Sequence, residues 1–213
     1  MDYFKKSLKL DLSFFGENHP SVASGYYNIG YVYFAQGDYS KALEYFEEVL
    51  KIRLSVYGEN HSRVASVYND IGEIYSVQGD DFKALDYFKK SLKIVLSVYG
   101  ENHSQVSSIY DHIGEIYFAQ KDYSKALYYF EESLKIRLSL FGENHPEVAL
   151  SYYSIGSLYI IQGDKSKALN YYEKSLKIRL SVYGENHPLT KEIMDLINVA
   201  ANSKVLQSPE TTK

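Results

Sequence analysis

Residues 16–20 read "GENHP". The stretch returns as "GENHS" at 58–62 and 100–104, and as "GENHP" at 142–146 and 184–188, always 42 residues further on. A fixed period between ~20 and ~50 residues marks stacked supersecondary units, each unable to bury its apolar face alone. The Glu and His of every copy are therefore either repeated chemistry or punctuation between units.

One period, residues 20–61, reads "PSVASGYYNIGYVYFAQGDYSKALEYFEEVLKIRLSVYGENH". Val22, Tyr26, Ile29, Gly30 and Tyr33 recur at the spacing of one apolar helical face. "QGDYS" at 36–40 interrupts that face, with Gly37 suited to the position just past a helix end. Ala42, Tyr45, Phe46, Val49, Leu50, Ile52 and Val56 form a second face. The pattern predicts helix A over 20–36 and helix B over 40–57, the latter ~27 Å long. No stretch alternates as a strand does. In this frame GENH is punctuation. Gly58 closes helix B, and Pro20, Pro146 and Pro188 suit the first turn of the next helix, where no N–H is needed. Ser62 and Ser104 favour the same start through their side-chain oxygen, and the preceding Asn and His add polar capping groups. Copies one repeat apart cannot share a metal, and one Glu/His pair lacks the three or four ligands zinc needs.

The totals narrow the function. The 213 residues carry a net charge of −4, which gives no global pull toward nucleic acid or anionic membrane. Zero Cys excludes disulfides, thiolate metal sites and Cys nucleophiles. No apolar run reaches the ~20 residues of a membrane span, and the N-terminus is amphipathic rather than a signal peptide. The expected compartment is the cytoplasm. The "NHS" sequons at Asn60 and Asn102 matter only in a secreted chain.

The pattern Tyr26-x-x-Ile29-Gly30-x-x-Tyr33, then Ala42-x-x-x-Phe46, resembles the tetratricopeptide signature with Tyr for the usual Trp. It recurs as Tyr68, Ile71, Gly72, Tyr75, Ala84, Phe88, and as Tyr110, Ile113, Gly114, Tyr117, Ala126, Phe130. The fourth copy is Tyr152, Ile155, Gly156, Tyr159, Ala168, Tyr172. The long period, "HPSVA" before helix A and "QGDYSKAL" at the turn make it similar to the repeats of kinesin light chain. The resemblance implies an all-α, right-handed superhelical solenoid of antiparallel helix pairs. It implies four full repeats (20–61, 62–103, 104–145, 146–187), a half repeat over 1–19 and a terminal helix over 188–203. Residues 204–213 read as a disordered tail.

The same resemblance implies a non-enzymatic scaffold that holds a peptide or helix in a concave groove lined by the A helices. Its groove positions fall on Ser24, Tyr27, Asn28, Tyr31, Phe34 and Ala35 in the first repeat, and on Ser66, Asn69, Asp70, Glu73, Ser76 and Val77 in the second. In the third they fall on Ser108, Asp111, His112, Glu115, Phe118 and Ala119, and in the fourth on Leu150, Tyr153, Ser154, Ser157, Ile160 and Ile161. They vary while the packing positions repeat. The groove reads aromatic, then acidic, then apolar, without Lys or Arg. The lysines of the family's carboxylate clamp are missing, and the acidic middle disfavours the acidic cargo peptides of kinesin light chain. A segment with Lys or Arg between apolar anchors fits on charge.

Other readings are weaker. His112 with Asp111 and Glu115 is the best catalytic constellation, but no nucleophile or phosphate-cradling loop joins it. No cofactor or metal site is expected. A column of Lys51, Lys93, Lys135 and Lys177 with Arg53, Arg137 and Arg179 suggests nucleic acid, yet glutamates interrupt it, and it reads as a solvated face. Lys5–Lys6, Glu47–Glu48, Lys89–Lys90, Glu131–Glu132 and Glu173–Lys174 alternate in sign like a ladder between neighbouring B helices. The half repeats at the ends raise a structural alternative, a spacer or an array whose copies associate end to end.

Overall fold

The computed structural model describes residues 1–202, so the tail expected over 204–213 lies outside the described residues. Ten helices and no strands occur among the described residues. They are α1 (Asp2–Phe15), α2 (Pro20–Ala35), α3 (Tyr39–Tyr57), α4 (Ser62–Val77), α5 (Asp81–Tyr99), α6 (Ser104–Ala119), α7 (Tyr123–Phe141), α8 (Pro146–Ile161), α9 (Lys165–Tyr183) and α10 (Pro188–Asn202). Each A helix packs on the B helix that follows it, and each B helix then packs on the next A helix. The result is an all-α solenoid of antiparallel pairs.

The GENH corner is built from two residues. Gly58 adopts a left-handed φ of 76°, and its N–H donates to the Leu54 carbonyl at 3.0 Å. The other four corner glycines share that sign of φ. His61 then caps α4, its Nδ1 accepting from the Arg63 N–H at 3.1 Å. The same imidazole stacks on Tyr57, the last residue of α3, with centroids 4.5 Å apart. His19, His103, His145 and His187 cap and stack in the same way on Phe15, Tyr99, Phe141 and Tyr183. One ring thus holds both helix ends. The cap is the His nitrogen and not the oxygen of Ser62 or Ser104, which already lie inside their helices.

The other turn is capped by aspartate. Asp38, Asp80, Asp122 and Asp164 accept from the backbone N–H three residues on, for example Lys83 N–H to Asp80 Oδ1 at 3.2 Å. The Lys side chain folds back onto the same carboxylate and over an A-helix Tyr ring, as Lys83 does over Tyr75 at 4.8 Å.

Within each pair a glycine admits the B-helix ring. A Cβ on Gly72, Gly114 or Gly156 would stand 2.8, 2.7 or 2.6 Å from a carbon of Phe88, Phe130 or Tyr172. Ala42, Ala84, Ala126 and Ala168 are fully buried on the facing helix. Tyr pairs such as Tyr75–Tyr87 stack beside them, with centroids 5.6 Å apart. Their hydroxyls are accommodated at the half-wet edge, as suits an amphipathic ring.

The expected charge ladder does not close. Among the described residues no ion pair joins one B-helix dyad to the next. Lys90 instead pairs with Asp86 on its own helix at 2.7 Å and lies over Tyr87 and Tyr68. Glu48 and Glu132 likewise pair with Lys51 and Lys135, three residues on along their own helices. Lys174, like Lys90, lies over a tyrosine ring of its own helix and one of the adjoining A helix, Tyr171 and Tyr152.

Candidate functional site

The A helices α2, α4, α6 and α8 present the variable positions along one side. At the first, Tyr31 is exposed, Asn28 is exposed, and Phe34 is half-buried against Tyr39. Tyr27 packs edge-on to Phe46, 5.4 Å between centroids. Burial first, and then the Asp70 carboxylate beside it, pushes its hydroxyl up to about 12.

The middle of the face is a polar network spanning α4 and α6. Asn69 Nδ2 donates to Glu73 Oε1 at 2.6 Å. His112 Nε2 stands 3.4 Å from the same oxygen, and its ring stacks on Phe88 with centroids 5.0 Å apart. Burial lowers the His112 pKa. Burial, and then the Glu73 carboxylate, pushes Asp70 up to about 7. Glu115 is exposed, Phe118 packs on Tyr123, and the structure brings His112 to Glu73 of the preceding repeat. Asp111 has a different duty: its Oδ2 holds Arg137 Nη2 at 2.7 Å.

On α8, Tyr153 OH donates to Glu192 Oε1 of α10 at 3.3 Å, and the Ser157 hydroxyl accepts from Tyr172 at 3.2 Å. Ser154 is half-buried, and Leu150, Ile160 and Ile161 are exposed.

Sequence reasoning misplaced the arginines. Arg137 and Arg179 are buried and Arg53 is half-buried, so they do not share the solvated face of Lys51, Lys93, Lys135 and Lys177, which are exposed. Each arginine instead reaches from its B helix between two successive A helices. Arg53 Nη1 donates to the Arg63 carbonyl at 2.8 Å and to Ser66 Oγ at 3.0 Å, and lies over the Tyr27 ring. Arg137 meets Asp111, Glu147 at 3.0 Å and Ser151 Oγ at 2.8 Å. Arg179 Nη1 donates to the Leu189 carbonyl at 2.6 Å, stands 3.4 Å from Glu192 and lies over Tyr153. The acidic middle expected from groove positions alone is thus partly neutralised from below. The signal was present in the sequence: an Arg one residue past Ile52, Ile136 and Ile178 sits next to the buried stripe of its helix.

Among the described residues no group of three or more His, Asp or Glu side chains is placed to hold a metal ion. None of their helices is long and apolar enough to cross a membrane.

Known proteins share this architecture. BtubC (BKLC) from P. vanneervenii superposes with a TM-score of 0.76 at 24% identity, over 88% of this chain and 74% of that one. A Podosopora anserina putative kinesin light chain with nearly identical TPR-like repeats gives 0.71 at 17% identity, over 84% and 85%. The apo form of RapI gives 0.70 at 18% identity, over 84% of this chain and 62% of that one. At these identities the likeness is one of fold. No curated protein matches the sequence. The tetratricopeptide repeat family model matches residues 2–55, 21–93, 63–139 and 105–181, which run from α1 into α9. The chain belongs to the tetratricopeptide repeat family.

Proposed function

We propose that the chain is a non-enzymatic scaffold that captures a protein segment on the face lined by α2, α4, α6 and α8. One contrast carries this reading. The packing residues repeat from unit to unit, while Tyr31, Glu115, Leu150, Ile160 and Ile161 differ and stand exposed on a rigid frame. Such a frame spends little conformational entropy on binding. The favoured segment is extended or helical, with apolar anchors at the Tyr31 and Ile161 ends and a basic residue between them. The proposed compartment is the cytoplasm.

Panning a random peptide display library tests it. Wild-type protein should enrich a peptide family that the variant Tyr31→Ala/Glu115→Lys no longer holds. Lys93→Glu, on the outer face, should leave that enrichment intact. Failure to enrich, or loss only with Lys93→Glu, would remove the groove reading.

A second reading rests on α1, where Tyr3, Leu10 and Phe14 are exposed. Copies associating end to end would cover them. Light scattering across a concentration series decides it, and a constant monomer mass rejects association.

A further inference from the structure

Three of the four full repeats place an arginine of their B helix in the slot between successive A helices: Arg53, Arg137 and Arg179. In the remaining full repeat the B helix, α5, has Val95 at that position. The slot left beside it is a cavity of about 160 Å³, with Asn69, Asp70, Val95, Gln105 and Ser108 in its wall. The neighbouring slot shows what its walls are shaped to hold. There Asp111 and Glu147 grip the Arg137 guanidinium at 2.7 and 3.0 Å. One repeat earlier the same two positions are Asn69 and Gln105. Asn69 Oδ1 and Gln105 Oε1 are buried and have no hydrogen-bond partner, and so is Asp70 Oδ2. The Asn69 amide nitrogen is committed to Glu73, which fixes its oxygen as the free end.

Buried acceptors without donors are costly, and a donor-rich group that reaches all three relieves that cost. A guanidinium has five donors in a planar fork and no acceptor. The charge also balances. Asp70 is the one carboxylate in this wall, and no ion pair engages it among the described residues; Arg53, whose charge it feels, is hydrogen-bonded to Arg63 and Ser66 instead. Glu73 and Tyr27 face Asp70 from the same network. Ser104 and Ser108 at the edge of the cavity are exposed, so the slot meets the groove.

We propose that this vacant slot between α4 and α6 receives an arginine side chain from the bound partner, in the place where the other repeats use their own. The inference rests on the groove reading and names the partner residue at its centre. The slot is complementary to the guanidinium in donors, charge and shape, and the three internal arginines are its template.

The probe is N-acetyl-arginine methylamide, titrated into 15N-labelled protein while the side-chain amides of Asn69 and Gln105 are followed. Both should shift with the probe and stay still with the norleucine analogue. Val95→Arg should fill the slot and abolish the shifts. Asp70→Asn should weaken the probe about tenfold, the loss of one charge-assisted hydrogen bond, and serves if Val95→Arg does not fold. Still amides in the wild type, or shifts that persist undiminished in both variants, overturn the proposal. Panned peptides separate it from the groove reading. Peptides with a fixed arginine that bind Val95→Arg about tenfold more weakly support both. Peptides that need Tyr31 and Glu115 but bind Val95→Arg as well as wild type retain the groove and overturn the arginine slot.

Discussion

At the scale of single residues, the corner histidine and Asp70 carry the sharpest consequences. His103 both caps α6 through Nδ1 and stacks on Tyr99, centroids 4.2 Å apart. His103→Ala should therefore cost about 1 kcal/mol or more, by the measure of lost N-caps, and lower the melting temperature. An unchanged melt would mean that the corner is held by Gly100 alone. Asp70 sets a pH dependence. Burial, and then the Glu73 carboxylate, push its carboxyl up to about 7 in the fold, above the ~3.9 of an unfolded Asp. The folded state then binds the extra proton between those values, so this contribution to stability is full below the lower value and lost as pH rises through the upper. Asp70→Asn should melt higher than wild type at pH 8, with the gain shrinking toward pH 4. A gain that grows on acidification would contradict the assignment. The corner glycine was legible from the sequence, because a period that ends every helix B on Gly leaves few alternatives. The His cap was foreshadowed only as a polar group, since which nitrogen meets which N–H depends on the angle between two helices.

At the scale of the helix pair, close approach decides stability. Gly114→Leu would drive a side chain into Phe130, whose ring carbon already stands 2.7 Å from the place of a Cβ. Overpacking of this kind costs ~1–3 kcal/mol or more, which chemical denaturation would register as a lower midpoint at unchanged slope. The turn before α7 offers the opposite case. Lys121 holds a φ of 63° where the other repeats have Gly37, Gly79 and Gly163. A left-handed non-glycine residue costs ~1–2 kcal/mol, so Lys121→Gly should raise the midpoint; a lower one would show that the Lys side chain contributes more than its strain. Helix limits were readable to within a residue or two because proline, glycine and the 3.6-residue period agree. The charge ladder was not, since sign alternation between helices says nothing about the partners that Glu48, Lys90 and Glu132 find along their own helices.

At the scale of the whole solenoid, the charge of the A-helix face is not legible from the A helices alone. Arginines long enough to reach through from the B helices change it from below, and Val95, which replaces one of them, becomes the most informative residue. The direct measurement is the footprint of a panned peptide on 15N-labelled protein. Shifts gathered on α2, α4, α6 and α8, at Tyr31, Glu73, Glu115 and Ser157 and beside the Asn69–Gln105 slot, are the predicted result. Shifts confined to the outer lysines Lys51, Lys93, Lys135 and Lys177, or to α1 and α10, would contradict the account.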